Sequence, residues 1–130
     1  ISDSRKIAPA GWHIPSDVEW HTLLDYLGGE AIAGGKMKET GGAWSSPNTG
    51  ATNISGFSAL PGGYRDIGSV HNGYTAVFAH MNEYATFWSQ PEIIPPYNPF
   101  FWLLRFDHSD ALGGSNYKQV GFSVRCIKDS

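Results

Sequence analysis

Apolar positions recur with a helical period only in the early part of the chain. Trp20, Leu23, Leu24 and Leu27 fall at i, i+3, i+4 and i+7, a spacing that gathers side chains into one stripe of an α-helix. Ser16 precedes the stripe with Glu19 three residues later, the pattern of a capping box in which each residue satisfies an orphan backbone donor of the other. Asp17 and Glu19 also lie at the positive end of the helix dipole, and Gly28-Gly29 ends the helix because glycine accepts the left-handed conformation at low cost. A second, weaker helix is predicted over about 30–39, interrupted by Gly34 and Gly35, each less favourable there than alanine by about 1 kcal/mol. Residues 8–15, ahead of the first helix, predict a short strand that carries Trp12 inward.

Beyond residue 39 the helical period is lost. From 41 to 63 Gly, Ser, Pro, Asn and Thr supply turn chemistry, with Trp44, Phe57 and Leu60 as expected anchors into the core. A strand is predicted over 84–89, and Pro91, Pro95, Pro96 and Pro99 then break any ladder. Strand alternation returns over 100–107, placing Phe100, Trp102, Leu104 and Phe106 on a core face. Phe101, Leu103, Arg105 and Asp107 fall on the opposite face, where Arg105 and Asp107 read as a charged pair. The Gly-Gly-Ser-Asn run at 113–116 predicts a turn leading into a last strand at 121–127 that closes the sheet. Few strands, helices gathered early and long loops give an α+β domain.

Composition narrows the function classes. A chain of 130 residues with 41% hydrophobic and 16% charged residues is one globular domain with a single core. A formal charge of −3 leaves no basic footprint for a nucleic-acid partner. No apolar run is long enough to span a bilayer, so no membrane insertion is expected. Ile1 is not an initiator, and the chain is read as a fragment or mature domain of a larger protein. Cys126 is the one cysteine, so it forms no internal disulfide and reads as a small buried hydrophobe.

Four segments together carry a resemblance: Gly11-Trp12-His13-Ile14-Pro15-Ser16, Ser46 through Asn53, Gly56 through Arg65, and Gly121-Phe122-Ser123-Val124-Arg125-Cys126. In this order they resemble the Fibrobacter major paralogous domain, over nearly the whole chain. The resemblance implies a C-type-lectin-type fold with a small antiparallel sheet closed by the N- and C-terminal strands. Many relatives carry a Cys where this chain has Ala8, and their pair would tie the first strand to the last. Here that pairing must rest on packing and ladder hydrogen bonds, with Trp12 and Phe122 expected to be buried in one sheet.

Candidate chemistry is sparse. His13, His21, His71, His80 and His108 show no H-x-x-x-H or H-x-H spacing and no CxxC accompanies them, so no zinc site is expected. Sugar-binding C-type lectins hold calcium with Glu-Pro-Asn or Gln-Pro-Asp and a Trp-Asn-Asp triplet. This chain has only Gln90-Pro91-Glu92, so calcium is not expected either and no cofactor is assigned. Formylglycine-generating enzymes resemble distant fold relatives, but their chemistry needs a pair of reactive cysteines. No nucleophile triad, paired carboxylate or phosphate loop stands out, and Asp25, Glu30 and Glu39 read as solvated charges.

The remaining feature is the outward face of the predicted 100–107 strand. Phe101 and Leu103 beside Arg105 and Asp107 give an aromatic centre with a polar rim, which Tyr97, His108, Leu112, Asn116 and Tyr117 extend. Some relatives resemble targets of diversity-generating retroelements, which randomise adenines in Asn-rich templates. From Ile93 to Tyr117 only Trp102 lies outside the residues that replacing the first two bases of an Asn codon can reach. The expectation is a binding module with no enzymatic activity, displayed on a bacterial cell surface or pilus tip. Its partner would be a protein, peptide or glycan of a host or neighbouring cell. The alternatives are a relative of the formylglycine-generating group with lost or altered chemistry, and a structural spacer in a surface protein.

Overall fold

Helix α1 (Asp17–Tyr26) begins as its capping box dictates: the Glu19 amide donates to Ser16 Oγ at 3.2 Å, and the Ser16 amide donates to Glu19 Oε2 at 2.9 Å. The computed structural model describes residues 5–68, 73–90 and 98–130. Gly28 and Gly29, at φ +102° and +99°, turn the chain out of α1 and directly into α2 (Glu30–Met37). The α1 stripe is buried at Trp20, Leu24 and Leu27, with Leu23 packed at its margin.

The strands are short and lie in small antiparallel sheets, which with the two helices make an α+β domain. β4 (Tyr84–Trp88), β5 (Phe100–Arg105) and β6 (Ala111–Ser115) form a three-stranded sheet in that order, with Leu103 opposite both Thr86 and Leu112. β2 (Tyr64–Arg65) pairs with β3 (Phe78–Ala79), and β1 (Trp12–His13) pairs with β7 (Ile127–Lys128). The core fills the space between the helices and the three-stranded sheet: Trp20, Leu24 and Met37 from the helices, Trp44 and Ala59 from the long loop, and Phe87, Trp102 and Leu104 from the strands. Trp20, Phe57 and Phe87 form an aromatic triad with centroids 5.6–5.9 Å apart.

Several expectations are corrected. The terminal strands do pair, but as a separate ribbon, and 121–126 contributes only single bridges to the neighbouring strands. Trp12 is 44% exposed, its two-residue ribbon being too small to enclose an indole, and Phe122, outside that ribbon, is half-buried against the rings of Trp88 and Phe101. Residues 113–115 lie within β6 and are not a turn; the chain reverses at 107–110. Small residues suit β6 because aromatic rings from β5 occupy the space. A Cβ at Gly113 would lie 3.2 Å from the Trp102 ring, and one at Gly114 3.0 Å from the Phe101 ring. Phe100, at the strand end, is 49% exposed, so it is not a core residue, and Leu60 is exposed while Trp44 and Phe57 do anchor the loop. Cys126 is half-buried, not enclosed.

Gly34 and Gly35 have a purpose that helix propensity hides. A Cβ at Gly34 would lie 1.9 Å from the Asp110 carbonyl oxygen, and one at Gly35 2.3 Å from that of Gly50. The Gly35 amide donates to the Ser109 carbonyl at 2.8 Å. Helix α2 therefore meets the β5–β6 turn backbone to backbone, a distance that a side chain would forbid.

Candidate binding face

Alternation along β5 divides its side chains as the sequence predicts. Trp102 and Leu104 are buried against the helices, and the Trp102 indole donates to Asp17 Oδ1 at 3.2 Å. Phe101, Leu103 and Arg105 are half-buried on the opposite face. Cross-strand pairing adds Leu112 of β6 beside Leu103, and Leu112 is 46% exposed. Phe101, Leu103, Arg105 and Leu112 thus share one sheet face.

One end of this face is closed. Phe122 packs on Phe101 and Trp88 with centroids 4.8 and 4.5 Å away, which is why Phe101 is only partly accessible. The other end carries an ion pair with Asp110, not the expected Asp107: Arg105 Nη2 lies 3.0 Å from Asp110 Oδ2 and 3.2 Å from Oδ1. Asp107 turns instead to His108, 2.8 Å away, and that hydrogen bond holds its carboxyl below the usual range, with the Arg105 charge acting in the same direction. Both residues are exposed in the turn. Asn116 and Tyr117 lie past the far end of β6, where Asn116 Oδ1 accepts from the Tyr117 amide at 2.8 Å and the Tyr117 side chain is exposed. Tyr97 lies outside the described residues.

The turn is held from within by a residue that sequence reasoning passed over. Lys38 is 0% exposed, and its ammonium donates to the carbonyl oxygens of Thr49, Arg105 and His108 at 2.8–2.9 Å, 5.4 Å from the Trp44 ring centroid. Burial pushes its pKa down to about 8, against the opposing pull of Asp107 and Asp110. A lysine just past a helix end carries no sequence signal that separates it from a solvated charge. A second omission had a signal. Alternation in β4 puts Tyr84 opposite Arg105 on the same face, and its ring stacks on His80 at 4.2 Å, which stacks in turn on Tyr64 at 5.6 Å.

The face therefore offers an apolar centre, one partly shielded ion pair and an aromatic flank. That combination suits contact recognition. Among the described residues no three His, Cys, Asp or Glu side chains group as metal ligands, and no helix is long and apolar enough to cross a membrane.

Over residues 1–128 the chain matches the model of the Fibrobacter succinogenes major domain, and it belongs to that family. No curated protein and no solved structure matches it.

Proposed function

We propose that this domain is a non-enzymatic ligand-binding module of C-type-lectin-like fold, whose binding face is the outward side of β5 and β6 with the turn between them. The observation that carries the reading is the Leu103–Leu112 cross-strand pair, left partly open to solvent between the Phe101–Phe122 contact and the Arg105–Asp110 ion pair. Large apolar side chains at the centre of a polar rim are what a recognition surface needs, because they exclude water from the contacts around them. Asp107, His108, Asn116 and Tyr117 extend this face at its ends, and the ligand is a protein, peptide or glycan met at a bacterial cell surface or pilus tip.

The test is a screen of the purified domain against a glycan array and a displayed peptide library, repeated with Leu112→Asp and Tyr117→Ala. Hits lost in these variants, with unchanged melts, support the face; hits retained by both overturn it. The resemblance to retroelement-diversified proteins adds a second check. Sister genes from one strain should differ mainly within 93–120, and differences spread evenly along the chain would remove diversification from the reading.

A further inference from the structure

The two edges of the three-stranded sheet are finished differently. Along β4 the C-terminal segment lies in parallel: the Ser123 amide donates to the Thr86 carbonyl and the Trp88 amide to the Ser123 carbonyl, both at 3.0 Å. That edge is closed. β6 forms the other edge and has β5 alone beside it. The phase of its main chain follows from one bond, since the Asn116 amide donates to the Pro99 carbonyl at 3.2 Å. Antiparallel register then turns the N–H and C=O of Leu112 and Gly114 towards β5 and those of Gly113 and Ser115 outward. Gly113 and Ser115 are exposed, and among the described residues their outward groups have no partner. Ala111 is buried and marks where the opening ends. Natural sheets guard such an edge with Lys, Pro, a bulge or a covering element. The Ala-Leu-Gly-Gly-Ser run of β6 contains neither Lys nor Pro, and its register with β5 has no bulge.

We propose that the free edge of β6 takes an extended peptide as an added antiparallel strand, which makes the ligand of the β5–β6 face a polypeptide and not a glycan. This rests on the binding face proposed above and names what it binds. Main-chain groups at alternate positions recognise another extended backbone, and the side chains beside them supply the preference. An added residue opposite Gly113 or Ser115 would turn its N–H towards β6. One opposite Leu112 or Gly114 would turn its N–H away and lay its side chain on the outward face. There it would meet Leu112, 46% exposed, and the Phe101 ring, which fills the space that a side chain at 114 would take. The peptide recognised is thus one with an apolar residue at every second position.

The probe is a capped hexapeptide of alternating threonine and valine in three forms: unmodified, N-methylated at every threonine, and N-methylated at every valine. The unmodified peptide should bind saturably in an NMR titration and slow hydrogen exchange at the Gly113 and Ser115 amides. Valine methylation should be tolerated, because those nitrogens point away from β6 when the valines lie on the outward face. Threonine methylation should abolish binding. Ser115→Pro removes one outward N–H and none of the β5 ladder, so the melt should hold while the dissociation constant rises about fivefold or more, the loss expected for one hydrogen bond. Should that variant fold poorly, the methylated pair still decides on the unaltered domain. The proposal is overturned by unprotected Gly113 and Ser115 amides, by methylation effects that are equal or reversed, or by undiminished binding to a well-folded Ser115→Pro variant. A free domain that already dimerises through β6 also overturns it, since the edge would then belong to a second copy. Ligands from the earlier screen that shift the Leu103 and Leu112 methyl signals but leave both amides unprotected would keep the face and overturn strand addition.

Discussion

Lys38 and Arg105 are separated by 67 positions in the chain, yet the ammonium of one donates to the main-chain carbonyl of the other at 2.9 Å. The same ammonium holds Thr49 and His108, so the end of α2, the long loop and the β5–β6 turn meet at one nitrogen. Replacing it with an apolar side chain of similar length removes three hydrogen bonds to a charged donor. Lys38→Met should lower stability by about 3 kcal/mol or more, measured by urea unfolding. A loss below about 1 kcal/mol would show that these carbonyls find other partners.

Gly34→Ala sets two effects against each other. Helix propensity favours alanine by about 1 kcal/mol, but the added Cβ would sit 1.9 Å from a main-chain oxygen that no rotamer change can move. Overpacking costs about 1–3 kcal/mol and more when backbone must shift, so the clash should win. The expected outcome is a destabilised domain with altered amide signals at 107–110, read by denaturation and by NMR.

His13 gives a pH-dependent clasp between the two ends of the chain. Its Nδ1 lies 2.6 Å from Asp129 Oδ1 and its Nε2 2.8 Å from Glu19 Oε1. These hydrogen bonds, that of Asp129 foremost, raise its pKa above the usual 6.5. The folded state then holds the proton more tightly than the unfolded chain. Its stabilising contribution is fully present below about 6.5 and is lost as pH rises through the folded value. The gap in melting temperature between the unaltered domain and His13→Gln should be wide near pH 6 and narrow at alkaline pH. A gap that widens with pH would contradict the clasp.

The two tryptophans of the N-terminal region should behave in opposite ways. Trp20, at 2% exposure, lies in the aromatic triad, and Trp20→Ala should cost about 3–5 kcal/mol as a cavity mutation. Trp12, at 44% exposure, should cost about 1 kcal/mol or less. Thermal melts of the two variants side by side decide between them.

On the proposed binding face, stability and binding should separate by position. Phe101→Ala removes a ring packed on Phe122 and should cost about 2 kcal/mol, roughly half of a fully buried phenylalanine. Leu112→Ala should cost about 0.5 kcal/mol while weakening binding by about 1 kcal/mol or more. A melt and a titration on each variant would test this, and a large stability loss at Leu112 would place it in the core.

What the sequence made legible was local. The Ser16–Glu19 box fixed the start of α1, the i, i+3, i+4, i+7 stripe fixed its buried side, and period-two alternation put Trp102 and Leu104 inward. Illegible features were those set by distant partners. Gly113 and Gly114 read as a turn because their packing partners, Trp102 and Phe101, come from the neighbouring strand. Trp12 read as buried because the resemblance implies that the terminal strands close one sheet, whereas they pair only as a separate two-residue ribbon. Leu103 and Leu112 were each legible as candidates, but they meet through register alone, so their pairing was not.

The bracing of the β5–β6 edge is written almost entirely in atoms that every amino acid possesses. Lys38 grips carbonyl oxygens of Thr49, Arg105 and His108, and the two helix glycines press against the main chain of Ser109, Asp110 and Gly50. A substitution at 105, 108, 109 or 110 changes the chemistry presented outward and leaves each gripped carbonyl in place. The anchor is thus blind to identity, and the demanding positions, Gly34, Gly35 and Lys38, all sit on the far side in α2 and its end. Such a scaffold can change what it displays without relearning how to fold.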